Sequence, residues 1–486
     1  MDMIRGHEST KPAASGFAGG AAMLHALLIA CGILSVSAWL LLARRYALGT
    51  YYATPGFALD KIPGHFDAPL LRQTAIIFVV LTVVYGVGFW IISTAPTISR
   101  TIKLVVVGQV LLSGLANILI YPVAAIDLFN YLAQFKLVFY YHRNPYVETF
   151  LPTFDADPLA RLAWPLHTPP PYGPAWLLFG GLPAWLAGLG DLLPPLITYK
   201  TWSFVLVLLC GLAIFLYQAE ERAAWHAAYA FVANPLVLFE GVANAHNDIM
   251  MSCLLLGALL ALKRRSPLAG PLLALSVLVK VFAVVLAPVF IWTAFRQRWS
   301  PRKIAVTVLL SLAVSVAVVA PFYDHGRMIG GMRQAMEFTR DLKTASALSI
   351  VRSYLSERGA SVTALTSVSL VFGLCFILSV IAILWKARTV ERPLVYVLLL
   401  FFMLASSLQA WYLIPVFGLL ALRLNRSGSV YLFVATTTGL LAYPLDIWAR
   451  FDSGLRGLQF HVFSGSFLAM PIAGFLALEA WRAYRK

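Results

Sequence analysis

The sequence predicts an all-α polytopic membrane protein with about 14 transmembrane helices and further interfacial helices in its first large outer loop. Of the 486 residues, 60% are hydrophobic and only 12% are charged, whereas a soluble domain carries about 25% charged residues. The mean hydropathy is +0.80, and the apolar residues are gathered into runs. A run of about 20 apolar residues crosses the hydrocarbon core of a bilayer as a helix.

The formal net charge of +16 does not indicate nucleic-acid binding. The Lys and Arg residues are scattered at the ends of apolar runs, where cytoplasmic anchors of membrane helices lie. The cysteines lie singly inside apolar segments, so we expect small buried hydrophobic residues and no disulfide framework or metal cluster. They are Cys31, Cys210, Cys253 and Cys375.

Taken in order, the apolar runs define the spans. Residues 1–20 are polar and small and are expected to form a cytoplasmic tail, and residues 21–486 a single integral-membrane domain. The first run, 21–43, is too long for the core of a signal peptide and ends in two arginines, so we interpret it as an uncleaved first span. The further runs are 73–95, 103–122, 196–217, 223–241, 248–262, 267–279, 281–295, 303–321, 363–386, 393–409, 411–424, 429–445 and 462–481.

The distribution of Lys and Arg predicts that both termini are cytoplasmic. This topology requires that the apolar run 174–189 does not cross the membrane, because a crossing would move the later basic clusters outside. The run contains Pro174, Pro183 and several glycines, so we expect a surface-lying or re-entrant helix whose broken backbone is covered by protein or water. The outer face then receives a loop, residues 123–195, in which we expect the catalytic residues.

That outer loop contains a polar stretch that begins at Asp127. Its first polar residues recur at helical spacing, with apolar residues opposite. A helix this short, with an Asp and a Lys, is expected to lie flat in the membrane interface with its apolar face down. The alternative is a solvated connector. The polar residues are Asp127, Asn130, Tyr131 and Gln134.

A second polar group lies between two apolar runs, in the segment Asn244-Ala245-His246-Asn247-Asp248, and Glu240 precedes it. Polar groups at membrane depth are costly unless they are paired or hydrated, so the segment is interpreted as a turn that faces substrate or phosphate. The alternative is an ordinary helix N-cap. Capping accounts for Asp248 but not for His246 and Glu240 as well.

Lys280 lies in the middle of an apolar stretch whose two ends are basic. If both ends are cytoplasmic, the stretch turns back near Lys280 and places its ammonium at the outer face, where it is suited to bind a lipid phosphate. The alternative is a structural lysine that extends to the interface.

Two later segments are open to two interpretations each. The loop after Ala320 mixes acidic and basic residues, as a solvated amphipathic helix does, but part of it, with Arg340 and Lys343, is also suited to close over an anionic donor. The pair Trp411-Tyr412 ends a span, where aromatic residues form interfacial belts. The other interpretation is a wall that stacks on a sugar or a prenyl chain.

Together these segments resemble the C-type membrane glycosyltransferases (GT-C), and within them the bacterial polyprenyl-phosphate-mannose-dependent α-mannosyltransferases. The resemblance rests on short motifs in a fixed order. They are Asp127 with Tyr131, Asn144-Pro145-Tyr146, Pro171-Tyr172-Gly173-Pro174, Asn234-Pro235-Leu236 with Glu240 and His246-Asn247-Asp248, Lys280, and Trp411-Tyr412.

The resemblance implies transfer of a hexose, expected to be mannose, from a polyprenyl-phosphate sugar to a hydroxyl of a glycolipid or glycan at the outer face of the bacterial plasma membrane, with inversion. Asp127 is the expected general base. A phosphate leaving group needs cations or hydrogen-bond donors, and no metal or other cofactor is expected. The residues expected to bind the donor or its phosphate are Lys280, His246, Asp248, Arg340 and Lys343.

The same resemblance implies a wider set of substrate contacts. They are Tyr131, Asn144, Tyr146, Tyr172, Glu240, Asn247, Trp411 and Tyr412. The main rival class is a transporter or flippase for a lipid-linked saccharide, which would also carry broken helices and intramembrane charges. Such a protein would be expected to show two related halves, and the sequence shows no such symmetry. A scaffolding membrane protein would not need polar residues gathered on one side.

Overall fold

The computed structural model describes residues 15–52, 68–123, 127–153, 155–163, 166–341, 346–405, 408–451, 453–455 and 457–485. Within these ranges every regular element is helical, and the extended pairing is limited to an isolated bridge between Ala47 and Ile120. The predicted all-α class is therefore confirmed.

Eight helices in the described part of the chain contain a segment that is long and apolar enough to cross a membrane. A ninth candidate is the broken span, Pro235–Ala243 followed by Asp248–Lys263, whose halves meet at a bend of 117°. The count of about 14 spans is not confirmed, because several predicted runs form shorter helices. The eight helices are Ser15–Arg45, Ala68–Thr94, Arg100–Ile118, Leu193–Tyr217, Pro301–Val319, Val362–Lys386, Arg426–Phe451 and Gly457–Tyr484.

Several apolar runs form helices that are shorter than a membrane span. The Pro174–Leu186 helix has 13 residues and is therefore about 20 Å long, less than the roughly 30 Å of a hydrocarbon core. This length agrees with the expectation that the run 174–189 does not cross. Another such stretch is interrupted at Lys280, whose backbone is extended (φ −137°, ψ 117°). The short apolar helices are Pro174–Leu186, Ala269–Val279, Val281–Arg296 and Ala410–Ala421.

The remaining helices are short or lie in the long connections. They are Leu48–Tyr51, Asp127–Phe139, Leu151–Thr153, Pro158–Arg161, Glu221–Val232, Asp324–Gly326, Arg327–Asp341, Ala347–Glu357 and Glu391–Leu404.

The Leu193–Tyr217 helix lies at the centre of the bundle and packs against the broken span, the Glu221–Val232 helix and the Pro174–Leu186 helix. The Pro301–Phe322 and Val362–Lys386 spans lie at the periphery, because only 6% of the most apolar part of each is buried. A helix that is apolar on all sides and uncovered by protein is typical of a membrane span.

The outer helix, Asp127–Phe139, begins at the predicted residue and is buried over much of both faces. It packs against the Pro174–Leu186 helix and the central Leu193–Tyr217 helix. Its polar Gln134 is buried with the apolar residues. On its polar side, protein covers Tyr131 and Gln134, whereas Asp127 and Asn130 remain partly exposed.

Candidate functional site

The polar turn, residues 244–247, joins the two halves of the broken span. The first half begins after Asn234, whose Oδ1 accepts a hydrogen bond from the Leu236 amide at 2.9 Å, and it ends in a π-helical turn, Phe239–Ala243. Such turns are frequent at functional sites. Ala245 has a φ of +55°, a left-handed conformation that costs about 1–3 kcal/mol for a residue with a side chain and persists only where surrounding contacts determine it.

The polar turn does not act as a simple helix cap. Asn247 stands at the N-cap of the second half, yet its side chain makes no capping hydrogen bond. The side chain of Asp248 instead forms an ion pair with Lys280. Capping therefore does not explain why these polar residues lie here.

Three side chains form a line that leads from the surface into the protein. Nδ1 of His246 lies 3.3 Å from Oδ2 of Asp127, and Nε2 lies 3.3 Å from Oε2 of Glu240. Both are close contacts without hydrogen-bond geometry. The His246 and Glu240 side chains are fully buried, whereas the Asp127 side chain is 25% exposed. Asp127 is thus the accessible end of the line.

Protein donors occupy both oxygens of Glu240 at the buried end. The Tyr443 hydroxyl donates to Oε1, and the Asn244 side-chain amide donates to Oε2 at 3.0 Å. Glu240, which the resemblance places among the substrate contacts, therefore lies behind His246 and is bonded within the protein.

Lys280 and Asp248 form a buried ion pair with 2.5 Å between Nζ and Oδ2. The Lys280 ammonium also lies 5.3 Å from the ring centre of Tyr172, 5.2 Å from that of Tyr412 and 5.9 Å from that of Phe282. Aromatic rings attract a cation at such distances. Two segments predicted separately, the polar turn and the break at Lys280, therefore meet.

Tyr131 and Tyr172 connect this ion pair to the outer helix. Their rings meet edge to face with centroids 5.5 Å apart, and Trp176 lies 5.0 Å from each. Burial raises the pKa of the Tyr131 hydroxyl well above its usual value, and burial together with the negative charge of Asp127 does the same for the pKa of Tyr172. Both hydroxyls are therefore neutral at physiological pH and able to donate hydrogen bonds.

The turn that carries Tyr172 lies directly on the helix that leads to Lys280. The Gly173 amide donates to the Val279 carbonyl at 3.1 Å. A Cβ at Gly173 would lie only 2.0 Å from the carbonyl oxygen of Leu278, so this approach requires glycine. The contact places Tyr172 beside Lys280.

The Asn144-Pro145-Tyr146 segment is bonded to its neighbours. The Asn144 side chain accepts from the Tyr146 amide at 3.1 Å and donates to the Phe322 carbonyl at 2.9 Å. The Tyr146 hydroxyl donates to the Tyr172 carbonyl at 2.8 Å. These contacts link the segment to the Tyr172 turn and leave its side chains bonded to protein backbone.

Trp411 and Tyr412 line the same cluster from the later half of the chain. The Trp411 ring stacks on the His246 imidazole, with centroids 4.0 Å apart and planes 15° apart. Tyr412 lies beside Lys280. The structure thus brings together Asp127, Tyr131, Tyr172, His246, Asp248, Lys280, Trp411 and Tyr412.

Several buried polar atoms of this cluster have no hydrogen-bond partner in the described part of the chain. They include atoms of four predicted site residues: both ring nitrogens of His246, both polar atoms of the Asn247 side chain, Oδ1 of Asp248 and the Tyr131 hydroxyl. Buried polar groups are rarely left unsatisfied in folded proteins, so these atoms are candidates to contact water or a polar ligand.

The other two predicted phosphate ligands are not located by the structure. Arg340 lies in the Arg327–Asp341 helix, at a position where the side chain is outside the described part of the structure, and Lys343 lies outside the described residues. The helix itself packs on the outer loop, since a Cβ at Gly331 would lie 2.0 Å from the Tyr146 carbonyl oxygen.

Sequence reasoning missed two residues that shape the cluster. Tyr443 bonds to Glu240 from a late span, and nothing in its local sequence distinguishes it from other aromatic residues of apolar runs. Lys200 is a fully buried lysine within the apolar central helix. A charged residue inside a span is itself a functional signal, and this signal was available in the sequence.

A family model described as alpha-(1->6)-mannopyranosyltransferase, N-terminal domain, matches residues 60–296. The matched region contains Asp127, the outer loop, the broken span and Lys280. No curated protein sequence matches the chain. The family match agrees with the order of motifs along the sequence and supports a membrane mannosyltransferase of the GT-C type.

Proposed function

We propose that the chain transfers mannose from polyprenyl-phosphate mannose to a hydroxyl of a glycolipid or glycan at the outer face of the bacterial plasma membrane, with inversion at the anomeric carbon. The observation that carries this proposal is the partly exposed Asp127 carboxylate, set in front of buried His246, with Asp248, two residues after that histidine, paired with Lys280.

Asp127 is the residue best suited to act as the general base. Of the three carboxylates in the cluster, Glu240 and Asp248 have fully buried side chains, whereas that of Asp127 is 25% exposed. One accessible carboxylate suits a single displacement. It takes the acceptor proton while the acceptor oxygen bonds to the anomeric carbon, and the bond from that carbon to the phosphate oxygen breaks on the opposite face.

His246 and Glu240 are proposed to orient this base. Glu240 is fixed by Tyr443 and Asn244, and His246 is confined between Glu240, Asp127 and the Trp411 ring. An imidazole fixed on three sides keeps the Asp127 carboxylate in one orientation. Such preorganisation lowers the cost of reaching the transition state.

Lys280 is proposed to bind the donor phosphate and to stabilise it as the leaving group. Its ammonium carries three N–H donors, and one oxygen of Asp248 accepts from it. The neutral hydroxyls of Tyr172 and Tyr131 add hydrogen-bond donors nearby. Cationic and hydrogen-bonding groups that are already in place where negative charge develops are the usual source of such stabilisation.

The test is sugar transfer by purified protein with labelled polyprenyl-phosphate mannose and a glycolipid acceptor. Loss of a general base typically costs about 100-fold or more in rate, so Asp127→Asn should lower kcat by that factor and leave the KM for the donor unchanged. The matched control is Asp191→Asn, at an exposed acid of the same outer loop, which should retain full activity.

Equal activity of Asp127→Asn and wild type would exclude Asp127 as the base. Absence of transfer by wild type with every donor tried would favour the transporter. The same assay with EDTA tests the metal requirement: we expect no change, because the cluster offers only Asp127, Glu240 and Asp248 as hard anionic ligands.

A further inference from the structure

Lys200 is a fully buried lysine in the first third of the central Leu193–Tyr217 helix. Its Nζ donates to the carbonyl of Ile120 at 2.8 Å and to the carbonyl of Ala243. The hydrogen bonds of this ammonium within the described structure therefore go to backbone carbonyls of two other segments. Burying the amino group of a lysine is costly unless it is hydrogen-bonded, so the choice of these two carbonyls needs an explanation.

The two carbonyls belong to the segments that lead to the catalytic cluster. Ala243 is the last residue of the π-helical turn and lies directly before the polar turn that carries His246. Ile120 follows the Arg100–Ile118 helix, on the way to Asp127. A carbonyl at the end of a helical segment has no partner within that segment, as at Ala243, and Ile120 lies beyond the end of its helix. Both carbonyls can therefore accept from Lys200.

The polar turn needs such a contact. Ala245 adopts a left-handed conformation, which a residue with a side chain retains only where its surroundings determine it. The turn is fixed after this position by the His246 amide, which donates to the Glu240 carbonyl at 2.9 Å. Lys200 fixes it before this position, at Ala243. The strained residue thus lies between two fixed points.

We infer that Lys200 is a positioning residue for catalysis. Its amino group bonds to the Ile120 and Ala243 carbonyls and thereby sets the distance between the segment that leads to Asp127 and the turn that carries His246. Lys200 acts through backbone and does not touch the reacting atoms. The inference rests on the proposed function, because it assigns to Lys200 the alignment of the proposed base with its orienting histidine.

The experiment compares Lys200→Met, Lys200→Arg and a control, Lys263→Met, in the full-length protein. Lys263 also donates to a backbone carbonyl, that of Tyr217, but it lies at the other end of the Asp248–Lys263 helix. Mannose transfer gives kcat and KM. Hydrogen exchange is measured by mass spectrometry in two windows, residues 118–123 and 241–247.

Lys200→Met should speed hydrogen exchange in both windows. It should lower kcat by about 100-fold, because a misplacement of about 1 Å has such an effect, and it should leave the KM for the donor unchanged. Lys200→Arg keeps the charge and donors and should recover part of the rate. In a His246→Gln background the effect of Lys200→Met should largely vanish, because the two changes act on one element. Lys263→Met should alter neither window.

Unchanged exchange in both windows would show that Lys200 does not fix these segments. Faster exchange with normal kcat would refute the positioning role, as would full additivity with His246→Gln. Absence of transfer by the wild type with every donor tried would instead refute the proposed function, and the exchange measurement would still decide whether Lys200 joins the two segments.

Discussion

Gly173 offers a direct test of how the site is assembled. A methyl group at this position would lie 2.0 Å from the carbonyl oxygen of Leu278, and ordinary contact begins at 3.4 Å. The obstacle is backbone and not the end of a flexible side chain. Gly173→Ala must therefore push the Tyr172 turn away from the helix that ends next to Lys280.

The magnitude follows from that displacement. The contact must open from 2.0 Å to at least 3.4 Å, and the hydrogen bond from the Gly173 amide to the Val279 carbonyl, now 3.1 Å, must lengthen or break. A misplacement of about 1 Å costs about 100-fold in rate, and overpacking costs about 1–3 kcal/mol of stability. We expect Gly173→Ala to lose about 100-fold in kcat/KM and to unfold at a lower temperature.

The assay is mannose transfer, with thermal unfolding in detergent measured on the same preparations. Gly190→Ala is the matched control, because Gly190 lies in the same outer loop and a Cβ there meets no atom within 4 Å. It should match wild type in both measurements. Wild-type kcat/KM in Gly173→Ala would refute the idea that this contact places Tyr172 beside Lys280.

Two further predictions test the surroundings of the site. Gly331→Ala places a Cβ 2.0 Å from the Tyr146 carbonyl oxygen, whereas the Cβ of Gly330→Ala meets no atom within 4 Å. Gly331→Ala should therefore lower the Tm, and Gly330→Ala should raise the stability of the protein by about 0.5–1 kcal/mol through helix propensity. Equal shifts of the Tm in the two variants would contradict this packing. Lys280→Met leaves buried Asp248 unpaired, which costs about 3–5 kcal/mol of stability. In the double variant, Asp248→Asn should restore the Tm but not the affinity for the donor. Recovery of both the Tm and the donor affinity would exclude Lys280 as the phosphate ligand.

Much of the secondary structure is predictable because it depends on neighbouring residues. The outer helix begins at Asp127 as expected, and the apolar stretch around Lys280 breaks at that residue. The burial of the outer helix was not predictable. Its helical spacing indicates two faces, but it does not show that the Pro174–Leu186 helix and the central helix cover them.

The sequence by itself determined the class of the protein, the helices and the polar residues worth attention, because apolar runs, helical periodicity and isolated charges are local properties of the chain. Only the tertiary structure decided which of these residues meet. Asp127 and Trp411 reach His246 from segments far away in the sequence, and Lys200 bonds to backbone carbonyls of two other segments. Such contacts arise when distant helices pack together, and no local spacing encodes them.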